Sequence, residues 1–294
     1  MKNMRKIKEK IIFFWLVGLL FAAIFIWLAV FAKANSLDLK VDFFDVGQGK
    51  AVFIEERGGG QILIDGGPDG SVLERLSAAM PYFDREIDLL ILTHPDSDHL
   101  AGLIEVLKRY SIGRIIETGI ADSSADFEEW RRLIKEKNIP VSFALAGQKI
   151  KIGDDFVLEI LFPNRSLTGQ SFSNTNSSSI VAKLTYGKNS FLFTGDAEEP
   201  TEYFLTATGA NINSDILDVG HHGSKNSTSQ EFFKAVSPET AVIQVGARNR
   251  YGHPAQEILE RLKNIKVFRT DLDGDIDFSC DLEKCVSHIG AVDK

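Results

Sequence analysis

The hydrophobic pattern of the chain begins with one long uninterrupted apolar run. Residues 11–32 contain no charged side chain. A helix over this run would be about 33 Å long at 1.5 Å per residue, which is enough for the hydrocarbon core of a bilayer. Basic residues precede the run, so residues 1–10 are predicted to be a cytoplasmic leader and the rest of the chain to lie outside. Residues 11–32 are predicted to be a transmembrane or signal-anchor helix.

The end of this run carries a second signal. Ala32-Lys33-Ala34 has the small-residue spacing that a signal peptidase requires, and cleavage after Ala34 would give a secreted domain. The apolar run is longer than the roughly 7–15 residues usual in a signal peptide. An uncleaved single-pass anchor in the cell membrane, with the larger domain extracytoplasmic, is therefore favoured.

Beyond residue 38, segments of strand-like alternation and of helical spacing follow one another. LKVDFFDV, AVFIEE and QILIDGG are separated by turn residues, which predicts an opening antiparallel meander. IDLLILT is apolar throughout, as expected of a buried strand, and a helix is predicted from about Asp98 to Tyr110. Further strands and helices follow to about residue 279, which predicts an α/β domain with mixed sheets.

Composition and charge narrow the classes of function. Hydrophobic residues make up 44% and charged residues 25% of the 294 positions, which excludes disordered, collagen-like and coiled-coil chains. The formal charge is −8, but the first 33 residues hold six basic residues and one acid, so the remainder has 27 basic and 40 acidic residues, a net charge of −13. Such an acidic domain excludes a broad basic surface for duplex DNA and leaves a local cleft open.

The two cysteines, Cys280 and Cys285, flank the short segment DLEK after the strand-like stretch DIDFS. They could face each other across a turn, and a disulfide is stable outside the cytoplasm. Two free thiols or half of a metal site are the alternative interpretations. Residues 280–294 are predicted to be a C-terminal tail, in which His288 lies at the surface.

Four side chains that can bind metal follow the strand IDLLILT within six residues. They are His94, Asp96, Asp98 and His99. Residues 94 and 96 leave the strand on the same side, and residues 98 and 99 begin the next helix. Histidine and carboxylate groups that converge at a strand end are costly to desolvate unless a cation binds them. The segment therefore predicts a metal site; solvation of the loop and capping of the helix are the alternative.

The same placement recurs three times further along the chain. Asp196 follows the strand-like FLFTG, the pair His221 and His222 follows DILDVG, and His253 comes after AVIQV and residues 246–252. Five of the six histidines are thus predicted to lie at strand ends. The recurrence predicts a constellation of metal ligands rather than a single isolated cluster.

These motifs resemble those of the metallo-β-lactamase superfamily. H-x-D-x-D-H at residues 94–99, T-G-D at 194–196 and H-H-G-S at 221–224 carry the resemblance. D-V-G-Q-G at 45–49, I-D-G-G at 64–67 and Y-G-H-P at 251–254 narrow it to the β-lactamase-like domain of the ComEC family of competence DNA-uptake channels. The resemblance covers residues 38–279 and implies a four-layer αββα sandwich, preceded here by one N-terminal transmembrane helix, with a dinuclear metal site at one edge of the two sheets.

The resemblance also implies the ligands of the two metals. His94 and Asp96 would bind the first metal, and Asp98 and His99 the second. Asp196 would bridge both. The last ligand of the second metal would be His253, with His221 or His222 as the rival.

Catalytic and supporting roles follow from the same resemblance. Asp98 or a neighbouring carboxylate would receive a proton from the attacking water, and His221 or His222 would protonate the leaving oxygen. Asp45 and Asp65 would orient the ligands or the loops that hold them.

Two departures from the family pattern bear on the metal. Asp96 stands where the superfamily more often has histidine, and no histidine occurs between residues 99 and 221, where one usually lies. The first site is therefore oxygen-rich, which shifts its preference from zinc towards manganese or magnesium. Two divalent ions, Mn²⁺ or Zn²⁺ with Mn²⁺ slightly favoured, are the predicted cofactors. Lys50 is a further departure, because the ComEC-like pattern more often has aspartate after G-Q-G.

Four residues near these motifs are predicted to contact substrate: Asn176, Ser224, Lys225 and Arg248. Asn176 lies in the polar segment 163–179 and resembles part of an Asn/Ser-rich element that precedes a strand in ComEC-like domains; a turn-forming role is the alternative. Lys225 could pair with a phosphate as a point charge, and an ordinary exposed lysine is the alternative.

The combined prediction is an exported, membrane-anchored, metal-dependent phosphodiesterase or nuclease. Its predicted substrate is DNA, single-stranded rather than duplex, and DNA-uptake machinery is a predicted partner. One alternative keeps the metal chemistry and hydrolyses a small lactam, lactone or thioester. The other is a non-catalytic DNA-uptake or envelope partner that retains the fold.

Overall fold

The structure, a computed structural model, describes residues 2–34, 39–152 and 155–289. The chain divides between Leu37 and Asp38 into an N-terminal helix and a compact domain. The predicted first residue of the domain, 38, and the last five residues of the predicted tail lie outside the described residues. Helix α1 spans Lys2–Ala34. Its segment Lys10–Trp27 has a mean hydropathy of 2.3 and no buried part, so it is long and apolar enough to cross a membrane, as a signal sequence also is.

The compact domain alternates strands and helices along the chain. Its strands are β1 (Leu39–Phe43), β2 (Val52–Glu56), β3 (Gln61–Ile64), β4 (Glu86–Ile91), β5 (Ser111–Glu117), β6 (Val141–Phe143), β7 (Lys149–Ile152), β8 (Phe156–Phe162), β9 (Val181–Tyr186), β10 (Asn189–Phe193), β11 (Ile216–Asp218), β12 (Thr240–Ile243), β13 (Lys266–Arg269), β14 (Ile276–Cys280) and β15 (Cys285–Ile289). Its helices are α2 (Ser71–Ala79), α3 (Ser97–Arg109), α4 (Ala125–Lys137), α5 (Glu199–Ala207), α6 (Gln230–Val236), α7 (Gln256–Leu262) and α8 (Thr270–Asp273).

The strands form two mixed sheets. The first has the order β15-β14-β1-β2-β3-β4-β5-β6, and the second has the order β13-β12-β11-β10-β9-β8-β7. In the first sheet β1, β2 and β3 pair antiparallel, as the opening meander predicted, and β3 to β6 pair parallel. In the second sheet β10 to β13 pair parallel and β7 to β10 pair antiparallel. Helices α2 to α4 connect the parallel strands of the first sheet, and α5 to α7 those of the second.

Three hydrophobic cores hold these elements in layers. One core lies between the two sheets and includes the rings of Phe43, Phe193 and Phe278. A second joins the first sheet to helices α2 to α4, with Trp130 fully buried, and a third joins the second sheet to helices α5 to α7. Each core residue belongs to the compact domain. Burial of one large apolar side chain stabilises the fold by about 1.5–3 kcal/mol, so these residues dominate its free energy of folding.

The C-terminal hairpin differs from the sequence-based prediction. β14 and β15 pair antiparallel, and Cys280 lies opposite Cys285 in their register. The two cysteines form a disulfide, as the spacing allowed, with a Cα–Cα distance of 4.0 Å. The predicted tail boundary at residue 280 therefore falls within β14, and residues 285–289 form the edge strand of the first sheet. His288 is exposed on that strand.

Candidate metal centre

Residues that can bind metal gather where strands of both sheets end. β4 of the first sheet ends at Ile91, directly before the segment from His94 to His99. In the second sheet, β10 ends at Phe193 before Asp196, and β11 ends at Asp218 before His221 and His222. β4 pairs parallel with β3, and β10 pairs parallel with β11, so the carboxyl ends of the strands that carry these residues share one edge of each sheet. The site is therefore built from two halves, one on each sheet.

The orientation of His99 is fixed by Asp65, which follows β3. Nδ1 of His99 lies 2.7 Å from Oδ2 of Asp65, and both side chains are buried. Asp65 also accepts hydrogen bonds from the amide and the hydroxyl of Thr93, at 2.8 and 2.7 Å. A carboxylate accepts only, so Nδ1 donates and Nε2 of His99 is left free to bind a metal. Asp65 adopts a left-handed backbone, with φ 58°.

His94 is held by two hydroxyl groups. Its Nδ1 atom lies 3.1 Å from Oγ1 of Thr93 and 3.1 Å from Oγ of Ser179. The Ser179 hydroxyl also accepts the amide N–H of Asp196 at 3.1 Å, so it joins the His94 segment to the strand end that carries Asp196. Nε2 of His94 remains free, as in His99.

Asp196 lies between histidines of both halves. Its Oδ1 atom is 3.3 Å from Nε2 of His99, and its Oδ2 atom is 3.4 Å from Nε2 of His222 and 3.7 Å from Nε2 of His221. The side chain is 3% exposed. The carboxylate therefore lies within 4 Å of histidines of both halves, and the bridging role that the resemblance implied for it stays a prediction.

His221 and His222 occupy a tight turn after β11. Both have left-handed backbones, with φ of 47° and 54°, which directs the two rings to different neighbours. Nδ1 of His222 is 2.9 Å from the carbonyl oxygen of Gln244. A carbonyl only accepts, so Nδ1 donates, and Nε2 faces Oδ2 of Asp98 at 3.3 Å.

Two groups of side chains have the geometry of a metal site. His94, His99 and Asp196 form one, and Asp98, His99 and His222 form the other; within each group the ligand atoms lie within 4.8 Å of one another. Among the described residues, Nε2 of all three histidines and Oδ1 of Asp196 are buried without a hydrogen-bond partner. Such orphaned atoms are costly unless a cation binds them, so the residues fit a pair of divalent ions.

Burial and neighbouring charges shift the pKa values of these groups in opposite directions. Burial, with the charge of His99, lowers the pKa of His94 to about 3. Burial would also lower the pKa of His99, but the carboxylates of Asp196 and Asp65 outweigh it and raise that pKa well above its ordinary value. Burial disfavours ionised Asp98, yet its contacts with His222 and His99 lower its pKa to about 2. The shifts therefore favour ionised Asp98 and neutral His94, the forms that bind a cation, whereas an ion bound at His99 would have to displace a proton from its ring.

Asp96 and His253 lie in neither of the two groups. The side chain of Asp96 is 41% exposed; its Oδ2 atom is 3.7 Å from Nε2 of His94, and its other oxygen accepts the hydroxyl of Thr175. The ring of His253 stacks on that of Tyr251, and its Nδ1 atom is buried without a partner among the described residues. His222, one of the two rivals, lies instead beside Asp98 and Asp196. The ligand roles of Asp96 and His253 stay predictions.

Glu198 is a site residue that the sequence did not single out. Its Oε1 atom is 3.2 Å from Nδ1 of His221, and its Oε2 atom accepts Nδ2–H of Asn174 at 2.9 Å. His221 is thus held between Glu198 and Asp196. The signal available in the sequence was a carboxylate two positions after the T-G-D motif.

The predicted substrate residues lie in different environments. Lys225 and Arg248 are exposed, and Ser224 is buried. Asn176 is 8% exposed, and its Nδ2 atom lies 3.4 Å from both ring nitrogens of His221. Asp45, predicted to support the site, accepts the amide N–H of Gly47 at 3.1 Å and so holds the G-Q-G turn.

Comparison with known proteins agrees with this geometry. Residues 44–247 match the sequence profile described as the metallo-beta-lactamase superfamily. The chain is 32% identical over 261 residues to ComE operon protein 3 of Bacillus subtilis, covering 81% of this chain and 33% of that protein. It is 35% identical over 243 residues to Recombination protein 2 of Haemophilus influenzae, covering 81% of this chain and 28% of that protein. The chain spans about a third of the length of these relatives.

Solved structures support the fold alone. The metallo-beta-lactamase fold protein YhfI from Bacillus subtilis aligns with a TM-score of 0.51 at 15% identity, over 79% of this chain and 96% of that one. CmlA, a diiron beta-hydroxylase from Streptomyces venezuelae, aligns with a TM-score of 0.53 at 17% identity, over 84% of this chain and 55% of that one. Proteins of different chemistry thus share this architecture, so function has to be argued from the site.

Proposed function

Because the chain belongs to the metallo-beta-lactamase superfamily, we propose that its compact domain is a metal-dependent hydrolase that cleaves phosphodiester bonds of DNA. The observation that carries the proposal is the set of orphaned ligand atoms, Nε2 of His94, His99 and His222, which converge on Asp196. Structural roles alone would leave these buried atoms unsatisfied. Divalent ions bound there would activate water at neutral pH and neutralise charge on phosphoryl oxygens.

The proposed ligand set follows from the two groups. His94 and Asp196 would hold one ion together with Asp96, whose carboxylate lies nearest to Nε2 of His94 at 3.7 Å. Asp98, His99 and His222 would hold the other, and Asp196 would bridge them. His222 replaces His253 as the proposed last ligand, because its Nδ1 atom is anchored on the carbonyl of Gln244 while its Nε2 atom faces Asp98.

His221 is the proposed proton donor to the leaving oxygen. Its Nδ1 atom is held by Glu198 and its Nε2 atom faces the site beside Asp196. In the imidazolium form of the ring, Nδ1–H donates to the Glu198 carboxylate and Nε2–H is the proton that is transferred. Asn176, whose amide nitrogen lies against the His221 ring, and the backbone turn at residues 221–223 keep the ring in place.

DNA is the proposed substrate on two grounds. The similar proteins are called ComE operon protein 3, Recombination protein 2 and Competence protein ComA; the last, from Neisseria gonorrhoeae, is 32% identical over 245 residues and is matched by 81% of this chain. Lys225 is exposed three residues after His222, and Arg248 is exposed five residues before His253. The net charge of −13 leaves no broad basic surface, so we propose a single strand whose end enters the cleft.

The cellular setting is part of the same proposal. Helix α1 would anchor the protein in the cell membrane with the compact domain outside, in a role related to DNA uptake and with the uptake machinery as partner. The disulfide between Cys280 and Cys285 suits an extracytoplasmic domain, since such bonds persist in oxidising compartments.

A direct assay tests the proposal. Residues 35–294, which contain all three cores, would be incubated with single-stranded DNA, duplex DNA and a chromogenic lactam after chelation and addition of Mn²⁺ or Zn²⁺. Metal-dependent cleavage of single-stranded DNA, retained in His288→Ala and lost in His222→Ala, is the expected result. Hydrolysis of the lactam without DNA cleavage would replace this function with small-molecule hydrolysis, and ion binding without any turnover would indicate a non-catalytic partner.

A further inference from the structure

Lys50, the departure from the family pattern after G-Q-G, is buried inside the domain. Its side chain is 2% exposed, and Nζ lies 2.8 Å from Oδ2 of Asp218, which is also 2% exposed. Nζ also donates to the carbonyl oxygen of Val219 at 2.9 Å. Lys50 is therefore not available to contact substrate, and its charge is neutralised by one buried partner.

The ion pair belongs to a hydrogen-bond network that reaches His222. Oδ1 of Asp218 accepts Nε2–H of Gln244 at 3.2 Å, and Oε1 of Gln244 accepts the amide N–H of Ala51 at 2.9 Å. The carbonyl oxygen of the same Gln244 accepts Nδ1–H of His222. The residue that anchors His222 is thus held through its side chain by the partner of Lys50.

The main chain of Lys50 is tied to the other half of the site. Its amide N–H donates to the carbonyl oxygen of Asp98 at 3.3 Å, and its carbonyl accepts the amide N–H of Gly67 at 2.8 Å. Lys50 therefore contacts Asp98, in the first turn of α3, through its backbone, and it contacts Asp218, on β11 of the second sheet, through its side chain.

We infer that Lys50 is a positioning residue, whose buried ion pair with Asp218 sets the separation between Asp98 and His222 and thereby the affinity of the metal site. The inference rests on the proposed metal site and not on its substrate. Nε2 of His222 and Oδ2 of Asp98 lie 3.3 Å apart. The backbone of Lys50 binds the carbonyl oxygen of Asp98, and its ion-pair partner Asp218 binds Gln244, which anchors His222. Changes to residues that orient metal ligands lower metal affinity by roughly 10–100-fold.

The test replaces the pair rather than one partner, because a buried charge left alone destabilises the whole fold. In Lys50→Met/Asp218→Leu the two apolar side chains fill the space, and the stability of the metal-free domain to urea is expected to stay near that of the unchanged protein. The dissociation constants for Mn²⁺ and Zn²⁺, measured by competition with a chromogenic chelator, are expected to rise about 10–100-fold. A stable variant that binds ions as tightly as the unchanged protein overturns the inference.

Lys50→Met/Asp218→Asn is the second variant. The amide oxygen of asparagine still accepts Nε2–H of Gln244 but the ion pair is gone, so ion affinity as weak as that of the apolar pair is expected, whereas a folded variant that binds ions as tightly as the unchanged protein contradicts the inference. Lys188→Met, which removes an exposed ion pair with Glu283, is the matched control. An unchanged protein that binds two ions but cleaves no DNA refutes the proposed substrate and leaves this inference standing; one that binds no ion refutes both.

Discussion

Nδ1 of His99 lies 2.7 Å from Oδ2 of Asp65, and this contact directs the opposite ring nitrogen towards Asp196. Asp65→Asn is expected to lower metal affinity about 10–100-fold, because the amide does not hold the ring as a carboxylate does. Asparagine tolerates the left-handed backbone at this position, so the fold should remain intact. The dissociation constants for Mn²⁺ and Zn²⁺ measure the effect.

Asp69→Asn is the matched control for this variant. Asp69 is exposed four residues further along the same loop and accepts the amide N–H of Ser71. The Asp69→Asn variant should bind ions as tightly as the unchanged protein does. Equal affinity in Asp65→Asn and the control would remove Asp65 from the support of the site.

Asp196→Ala is expected to abolish metal-dependent hydrolysis and to lower the bound metal content. The buried carboxylate is the group that contacts both His99 and His222. Its removal should therefore lower metal affinity by more than the roughly 10–100-fold that a change outside the ligand set causes. Metal content by mass spectrometry and rate with saturating ion are the measurements, with His288→Ala as control. A near-normal rate in folded, metal-loaded Asp196→Ala would refute the bridging role.

Asp42 gives the fold a pH dependence that is separate from the site. Its side chain is 1% exposed on β1; burial, with Asp277 opposite it, raises its pKa to about 7 although Lys40 pulls the pKa down. The folded chain then holds a proton that the unfolded chain, with an ordinary pKa of 3.8, releases. Stability contributed by the protonated carboxyl is therefore lost as pH rises from about 4 to about 7.

Asp42→Asn tests this pH dependence, because the asparagine amide is neutral at every pH and needs no bound proton in the folded state. Its free energy of unfolding in urea should exceed that of the unchanged domain by about 1–3 kcal/mol at pH 8 and differ little at pH 4.5. Glu128→Gln, at an exposed position of α4, is the control and should change neither value. An equal effect of Asp42→Asn at both pH values would argue against the raised pKa.

The metal preference is the fourth prediction. Asp96, Asp98 and Asp196 supply the carboxylate oxygens near the site, and these hard ligands favour manganese more than an all-histidine site would. After chelation, addition of Mn²⁺ should restore at least as much hydrolysis as addition of Zn²⁺. Recovery with zinc alone would overturn the preference.

The sequence predicted the strand ends and the motif residues because both depend on local pattern. The apolar run before His94 and the helix from Ser97 needed no knowledge of the rest of the chain. The choice between His222 and His253 as the proposed last ligand did need that knowledge. The position of His222 depends on two consecutive left-handed residues and on a backbone carbonyl 22 positions away. No periodicity in the sequence encodes such a turn.

The supporting contacts were less predictable for a similar reason. Lys50 and Asp218 are separated by 168 positions and Ser179 and His94 by 85, and only the packing of one sheet on the other brings them together. The final strand was missed because CVSHI is only five residues long and has no buried residue, and because the sequence pattern did not indicate its pairing with β14, which places Cys285 opposite Cys280.

The division of the ligands between two sheets affects how the protein would acquire its ions. An unfolded chain offers only the short segment from His94 to His99, while Asp196 and His222 arrive when the second sheet has formed. Ions held by the proposed ligands would then bind the folded domain far better than the unfolded chain and would stabilise it by mass action. A chain that folds after crossing the membrane would take its ions from the medium outside, so metal supply in that compartment, together with ligand chemistry, would decide which ions the protein carries.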